Sequence, residues 1–330
     1  MAKRRRPTHA STVSAPLPEG TGPVGPREPC PCGSGERYKN CHGRAERARV
    51  GLRNPRPFAG LTFERDLVAM REFVPSATAP VTLADGLADT EPFTGALVCS
   101  LLPMARPALV RPDRTLWLGL QLQSPLSLDP AKDLVAATRA AADLPAGSTL
   151  EDVPAWADDD PSPADLFAST AVSSSAALQV TVHDGFDWWL EGQDVDGETA
   201  ASLERANASI YPTAKLAGVE AAYWCQIGEK VHIRWVTDFP EDRLLAGLAR
   251  LQAAGSAGAG DGSRLVGSFR THGLVVPVWD LRTDAQPDEA EVALAALATR
   301  LDEAMAVETP LESEELRALS LLNSRQVTLR

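Results

Sequence analysis

The sequence predicts an α+β fold of repeated β-hairpin–helix units with a largely antiparallel sheet. Two observations support this prediction. Alternating apolar runs come in pairs separated by short turns such as His183-Asp184-Gly185, which is typical of hairpins. An apolar stripe with helical spacing follows each pair and begins after Pro or Asp, which favour the start of a helix. Hairpins pair their strands antiparallel, and the helices that follow them cover a face of the sheet.

Four strand pairs are predicted along the chain, each with a turn that contains Gly or Pro. The similarity between the four units lies in the pattern of residue types and not in residue identity. In chain order, the predicted pairs are Ala96–Leu102 with Leu116–Gln121, Leu178–Val182 with Phe186–Leu190, Ala221–Ile227 with Val231–Val236, and Arg264–Arg270 with Leu274–Trp279.

A helix is predicted before the first strand pair and after each of the four pairs. The first covers Phe63–Phe73 and places Leu67, Met70 and Val74 on one face, at the spacing of an amphipathic helix. The others are predicted from Pro130 to about Ala142, from about Glu198 to Ser209, after Pro240 and after Pro287, with a short helix near Glu312–Leu322 and a terminal strand near Gln326–Leu329.

Charge is distributed unevenly along the 330 residues, whose net charge is −12. Up to Arg56 the chain carries 12 Lys and Arg against 4 Asp and Glu, a net charge of +8, whereas the rest carries 20 against 40, a net charge of −20. A basic segment of this kind suits an anionic partner, and a solvated tail is the alternative explanation. The acidic remainder lacks the basic surface of a DNA-binding domain.

Composition divides the chain into four predicted parts. Residues 1–28, rich in Pro, Gly, Ser and Thr, are expected to be a disordered basic leader. Residues 29–43 contain a cysteine cluster, residues 44–57 a basic linker, and residues 58–330 the α+β domain, with a possible internal boundary in residues 144–163. No apolar run is long enough for a membrane span, and no apolar segment follows the basic N-terminus as in a signal peptide, so we expect a cytoplasmic protein.

The cysteine cluster is the strongest chemical signal in the sequence. Cys30, Cys32, Cys41 and His42 lie within thirteen residues. Thiolate and imidazole groups are the ligands of structural zinc sites, and four of them complete a tetrahedron. Glycines directly after Cys32 allow the tight loop that returns the chain to the second ligand pair. The sequence therefore predicts a closed, structural Zn²⁺ site, because no ligand position is left open for a substrate.

This segment resembles the SEC-C motif, first described at the C-terminus of the preprotein translocase ATPase SecA. That motif reads Cys-x-Cys, eight residues, Cys, then Cys or His, and every element is present here. The resemblance implies zinc binding and, in the translocase, contacts with an export chaperone and the ribosome. It covers about fifteen residues of a motif that occurs on many otherwise unrelated proteins. No Gly-x-x-x-x-Gly-Lys-Ser/Thr loop accompanies it, so the sequence gives no support for ATP hydrolysis of the translocase kind.

The rest of the chain resembles an actinobacterial family that pairs an N-terminal SEC-C motif with a large domain of unknown function. The resemblance runs over nearly the full length and implies no activity and no catalytic residues. Its best-matching stretches are Arg71-Glu72-Phe73-Val74-Pro75, Tyr223-Trp224-Cys225, Arg234-Trp235-Val236, Leu265-Val266-Gly267-Ser268-Phe269-Arg270 and Val276-Pro277-Val278-Trp279-Asp280.

Two further groups of residues are candidates for chemistry or binding. Cys225 and His232 flank a predicted turn and could form a nucleophile pair, although a buried thiol beside a turn histidine is the simpler interpretation. Trp188 and Trp189 are adjacent in a predicted strand and would therefore face opposite sides of it. Core packing explains one of them, and an exposed second ring would indicate a binding surface.

These observations favour a binding or adaptor protein. In this hypothesis the zinc motif and the basic arm dock on an anionic partner such as the ribosome or an export factor. Two alternatives remain open: an enzyme of unknown reaction whose site lies in the α+β domain, and a structural or regulatory oligomer. A pocket joining His183, His232 or His272 to carboxylates would favour the enzyme, and a large exposed apolar patch would favour the oligomer.

Overall fold

The computed structural model describes residues 24–25, 27–38, 41, 54–84, 92–123, 129–154, 156, 160–167, 178–191 and 196–324. The chain divides into two compact units, Met1–Asn54 and Pro55–Arg330. We refer to the second as the body. Most of the predicted leader and linker, and the terminal strand predicted near Gln326–Leu329, lie outside the described residues.

The body contains helices and strands in mixed order, as expected for an α+β protein. Its helices are α1 (Glu64–Glu72), α2 (Pro130–Ala142), α3 (Pro163–Leu166), α4 (Gly197–Asn207), α5 (Glu241–Ala253), α6 (Pro287–Met305) and α7 (Ser313–Ser324). Its strands are β1 (Ala77–Val81), β2 (Gly95–Leu101), β3 (Ala108–Val110), β4 (Thr115–Gln121), β5 (Thr149–Leu150), β6 (Thr181–Val182), β7 (Thr213–Leu216), β8 (Ala222–Ile227), β9 (Lys230–Trp235), β10 (Arg264–Thr271) and β11 (Leu274–Asp280).

The strands form two sheets. Sheet 1 has the order β5-β3-β4-β2-β1-β6, and sheet 2 has the order β10-β11-β9-β8-β7. Every pairing is antiparallel except that of β2 with β4, which is parallel. The predicted α+β class with largely antiparallel sheets is confirmed.

The last two predicted hairpin–helix units are confirmed. Strands β8 and β9 form an antiparallel hairpin followed by α5, and strands β10 and β11 form a second one followed by α6. Gly228 and Gly273 in the two turns have φ of 60° and 78°, which a glycine adopts without steric cost. The Gly-containing turns therefore predicted the pairing of these strands and their connection correctly.

The first predicted strand pair is adjacent in the sheet but is not a hairpin. Residues Gly95–Leu101 and Thr115–Gln121 run parallel, because the intervening chain crosses back as β3 before β4 begins. The turn at Arg111-Pro112-Asp113-Arg114 therefore joins β3 to β4, and not β2 to β4. The sequence prediction missed β3 because it has only three residues.

The second predicted hairpin is wrong. Thr181–Val182 pairs with β1 instead of with the following segment, and Asp187–Leu190 is a 3₁₀ helix. Tertiary contacts explain the difference, because both indole N–H groups of this segment donate to distant residues. Trp188 Nε1 donates to Ser76 Oγ at 2.9 Å, and Trp189 Nε1 donates to the Leu101 carbonyl at 3.1 Å.

Sheet 2 is covered on both faces, and most residues of its strands β8, β9 and β11 are buried. Successive residues of β11 alternate between two cores: Val276 and Val278 join the core shared with sheet 1 and α1, and Val275 and Trp279 join the core shared with α5, α6 and α7. Both sides of the sheet therefore contribute to the interior.

Two of the helices begin with an aspartate cap, and the first of these caps is at the predicted helix start. Asp129 accepts hydrogen bonds from the backbone N–H groups of Ala131 and Lys132, and Pro130 occupies the first turn of α2. Asp196 accepts from Thr199 N at 2.7 Å at the start of α4. No helix within the described ranges is long and apolar enough to cross a membrane.

Candidate metal centre

The described part of the N-terminal unit folds back on itself around the first two cysteines. Pro29 and Arg37 form an antiparallel bridge. Cys30 N donates to the Glu36 carbonyl at 2.8 Å, and Tyr38 N donates to the Glu28 carbonyl at 2.7 Å. These bonds close a loop over residues 30–36. They bring the chain that follows the loop back beside the residues that precede it.

Two glycines make this loop possible. Gly33 and Gly35 have φ of 76° and 73°, in the left-handed region that other residues adopt only at a cost. Gly33 N also donates to the Cys30 carbonyl at 3.2 Å, which forms the tight turn after the Cys-x-Cys pair. The role that the sequence predicts for these glycines is therefore visible in the backbone.

The loop brings three sulfur atoms together. Cys32 Sγ lies 3.4 Å from Cys30 Sγ and 3.5 Å from Cys41 Sγ, and all three atoms lie within 4.8 Å of one another. Cys30 is buried, and the other two are partly exposed. None of the three is in a disulfide bond, since the sulfur–sulfur bond of a disulfide is only about 2.05 Å long.

This spacing fits a tetrahedral metal site. With metal–sulfur bonds of about 2.3 Å, as for zinc, the sulfurs of a tetrahedron lie about 3.8 Å apart. The observed separations of 3.4 and 3.5 Å are close to that value. The donor set of three thiols is compatible with a metal ion.

Ser34 is a member of the site that sequence reasoning missed. Its hydroxyl donates to Cys41 Sγ at 3.3 Å and accepts from Glu36 N at 3.4 Å. A hydrogen bond to a ligand sulfur stabilises the thiolate form that a metal requires. The signal was a hydroxyl residue between two loop glycines, two positions after a ligand. The predicted fourth ligand, His42, lies outside the described residues.

The body histidines occupy three separate environments. His183 Nε2 contacts Thr78 Oγ1 at 2.9 Å, and its ring stacks on Trp188. His272 Nε2 lies 2.8 Å from Glu72 Oε1. His232 Nδ1 lies 2.9 Å from Asp280 Oδ1. Each histidine is therefore paired locally, and the structure does not bring the three together.

Cys225 and His232 are direct cross-strand neighbours in β8 and β9, as the hairpin predicted. The thiol is fully buried, and burial raises its pKa to about 11, so it is not a thiolate at neutral pH. Burial also lowers the pKa of His232, despite the opposing charge of Asp280. The two residues are adjacent, as in a nucleophile pair. The Cys225 thiol, however, is neutral and buried, so the pair lacks the thiolate and the exposure that catalysis requires.

Trp188 and Trp189 lie on the same side of sheet 1, and not on opposite faces of a strand as predicted. They pack with Trp117 and Leu102 against the surface of the sheet that faces away from α1. The Trp188 and Trp117 ring centroids are 5.2 Å apart, and Arg111 lies over the Trp117 ring at 4.5 Å. Both rings therefore cover the sheet, and both retain partly exposed edges.

Comparisons with known proteins match the two units separately. A model of the SEC-C motif matches residues 27–44, and a model described as Family of unknown function (DUF5926) matches residues 57–330. The protein translocase subunit SecA of Cellvibrio japonicus (strain Ueda107) is 50% identical over 40 residues, which are 12% of this chain and 4% of that protein. No solved structure matches the chain.

Proposed function

The chain belongs to the family of unknown function DUF5926, and from that premise we propose that it is a zinc-binding adaptor of the cytoplasm. Its SEC-C motif and basic N-terminal arm dock on an anionic partner, either the ribosome or a protein-export factor. The observation that supports the proposal most is the convergence of three cysteine sulfurs in a segment similar to the translocase subunit SecA.

In this proposal Cys30, Cys32, Cys41 and His42 bind one Zn²⁺ ion. Three of the four donors already lie at metal-sharing distances, and His42 follows Cys41 directly in the sequence. When bound, the ion supplies the cross-link that fixes the loop, and it has no catalytic task because all four positions belong to the protein. The chain itself positions the sulfurs through the loop hydrogen bonds and orients Cys41 through Ser34.

Charge supports the anionic partner. Residues 1–56 carry a net charge of +8, whereas the remainder carries −20 and would repel a polyanion. The zinc motif fixes one part of the basic segment in space, and the other basic residues add long-range attraction. A folded zinc motif within a basic segment is therefore suited to bind an anionic surface, such as ribosomal RNA or an acidic protein.

Co-sedimentation with purified ribosomes tests the docking. The wild-type chain is compared with Cys30→Ser, which removes a ligand, and with a variant in which Arg4, Arg5 and Arg6 become Ser. Cys225→Ala is the matched control, because it removes a body thiol and leaves the motif intact. We expect the first two variants to lose most of the pelleted fraction and the control to keep it.

The dependence of co-sedimentation on salt concentration distinguishes binding to RNA from binding to a protein surface. Contacts with RNA phosphates give a steep fall of affinity with salt, because each contact releases condensed counterions. A weak salt dependence with zinc-dependent binding would favour a protein surface. Equal pelleting of wild type, Cys30→Ser and the arginine variant would contradict the docking proposal.

A further inference from the structure

The body contains a cavity of about 300 Å³ that is unrelated to the cysteine motif. It lies where the end of α1, the end of β4 and strand β9 of sheet 2 approach one another. Phe73, Val74 and Pro75 form its apolar wall, and Gln121, Tyr211, Arg234 and Glu72 supply its polar groups. The volume is at the lower end of the range for small-molecule sites, about 300–1,000 Å³.

Arg234 is the unusual member of this cavity. Only 8% of its surface is exposed, yet no carboxylate in the described part of the chain forms an ion pair with it. Its opposite residues on the neighbouring strands are Tyr223 and Val278, neither of which is acidic. A buried guanidinium without a counter-charge costs stability, because contacts with neutral groups replace only part of the hydration that burial removes.

The titratable groups around Arg234 do not supply the missing negative charge. Burial raises the pKa of Tyr211 to about 12, although the charge of Arg234 acts in the opposite direction. Burial likewise raises the pKa of Cys225 to about 11. Both groups are therefore neutral at physiological pH. His232, on the same strand, has a pKa lowered by burial and contributes no negative charge.

Glu72 is the carboxylate on the cavity wall, and it is already engaged. Its Oε1 lies 2.8 Å from His272 Nε2 and 3.8 Å from Arg71 Nε. These partners outweigh burial and lower the pKa of Glu72, so it is ionised. The cavity lining therefore contains one carboxylate that has cationic neighbours, Glu72, and one guanidinium without a carboxylate partner among the described residues, Arg234.

The guanidinium is also held in place. It lies over the Phe73 ring, with its central carbon 5.6 Å from the ring centroid. It donates a hydrogen bond to the Tyr211 hydroxyl oxygen, and that hydroxyl in turn donates to the Phe73 carbonyl. Among the described residues, no other side-chain hydrogen bond of Arg234 is found, so this guanidinium is suited to bidentate binding of an oxyanion.

We propose that this cavity binds a small monocarboxylate with an apolar body, and that Arg234 holds its carboxylate group. The apolar wall of Phe73, Val74 and Pro75 accommodates the rest of the ligand. A single guanidinium matches one negative charge, and the ionised Glu72 disfavours a dianion such as phosphate. We assign it a binding role, because no activated nucleophile is among the described residues that line it.

Calorimetric titration of the full-length protein with three probes tests this assignment. Benzoate has the proposed chemistry, benzamide has the same shape without the charge, and inorganic phosphate is an oxyanion without an apolar body. We expect benzoate to bind at least about tenfold more tightly than either of the others, since a charged hydrogen bond contributes that much or more. Equal binding of benzoate and benzamide, tighter binding of phosphate, or no binding of benzoate would overturn the proposal.

Arg234→Met separates the ligand role from a structural role. We expect it to weaken benzoate binding at least about tenfold and to leave the melting temperature unchanged or higher, because it removes an uncompensated buried charge. Arg205→Met, on the exposed helix α4, is the matched control and should bind as wild type does. Benzoate binding by Arg234→Met at wild-type strength would overturn the assignment. If that variant does not fold, Arg234→Lys and the three-probe comparison on wild type decide the question.

Discussion

The N-terminal motif and the body are ordered by different physical means. Among the described residues of the first unit only Cys30 is buried, so apolar burial contributes little there. The body instead buries both faces of sheet 2, with Trp279 and Tyr223 fully enclosed. Apolar area therefore stabilises the body, whereas the described part of the first unit depends, in the proposed account, on bonds from its cysteine sulfurs to a metal ion.

Removal of the metal is the largest expected effect. Structural zinc contributes on the order of 10–16 kcal/mol of apparent binding energy to segments of this size. A strong chelator should therefore abolish the hydrogen-exchange protection of Cys30 N, which donates to Glu36. Amides of strands β8 and β9 should keep theirs, and serve as the internal control. Unchanged protection of the loop would show that it is ordered without a metal.

Truncation of a core side chain should affect only the body. Trp279 is fully buried and donates through Nε1 to the Ala257 carbonyl at 2.7 Å. Trp279→Ala should lower the free energy of unfolding by about 3–5 kcal/mol, measured by denaturant titration, with no change in zinc content. Val292→Ala, at a position 74% exposed, should change it by less than about 0.5 kcal/mol. Loss of zinc from Trp279→Ala would contradict the expectation that the N-terminal motif and the body are ordered independently of each other.

The two hairpin turns of sheet 2 provide a finer test within the body. Gly228 and Gly273 both have positive φ, but a Cβ at Gly228 meets open space, whereas one at Gly273 would lie 2.7 Å from Arg56 Cβ. Gly228→Ala should therefore cost about 1 kcal/mol of stability from backbone strain alone. Gly273→Ala should cost about 1–3 kcal/mol more, because Arg56 must move. Equal melting temperatures for the two variants would contradict this prediction, and would show that the segment around Arg56 moves without an energetic cost.

The pH dependence of the Glu72 contact is the smallest expected effect. The lowered pKa of Glu72 means that its charge stabilises the folded body above its ordinary value of 4.5, and that this contribution is lost as pH falls through the lowered value. Glu72→Gln should therefore lose less stability than wild type between pH 5 and pH 3. Glu229→Gln, at the exposed β8–β9 turn, should follow wild type. A Glu72→Gln profile that parallels wild type would contradict the assignment.

Local signals predicted the parts of the fold that local interactions determine. The Gly turns at Gly228 and Gly273 and the Asp129 cap each act within a few residues, and the corresponding elements were predicted correctly. The parallel pairing of β2 with β4 and the 3₁₀ helix at Trp188 and Trp189 depend on partners far along the chain. Alternation of apolar residues cannot distinguish these outcomes from a hairpin.

The candidate sites divide in the same way. The cysteines of the motif lie close together in sequence, so their spacing alone predicts a metal site. Ser34 is not predicted, because a single serine in a loop is common. The cavity around Arg234 assembles Phe73, Gln121 and Tyr211 from three distant segments. Nothing in the local sequence around Arg234 marks it as buried and without an acidic partner, so this site required the structure.

Metal analysis of the full-length protein tests the central claim most directly. Protein expressed with ample zinc should contain one zinc ion per chain, and X-ray absorption should show three sulfur neighbours at about 2.3 Å and one nitrogen neighbour. Cys30→Ser should contain much less zinc, and Cys225→Ala the wild-type amount. Well under one equivalent in the wild-type protein, or a coordination shell without sulfur, would contradict the claim that Cys30, Cys32 and Cys41 order the N-terminal motif.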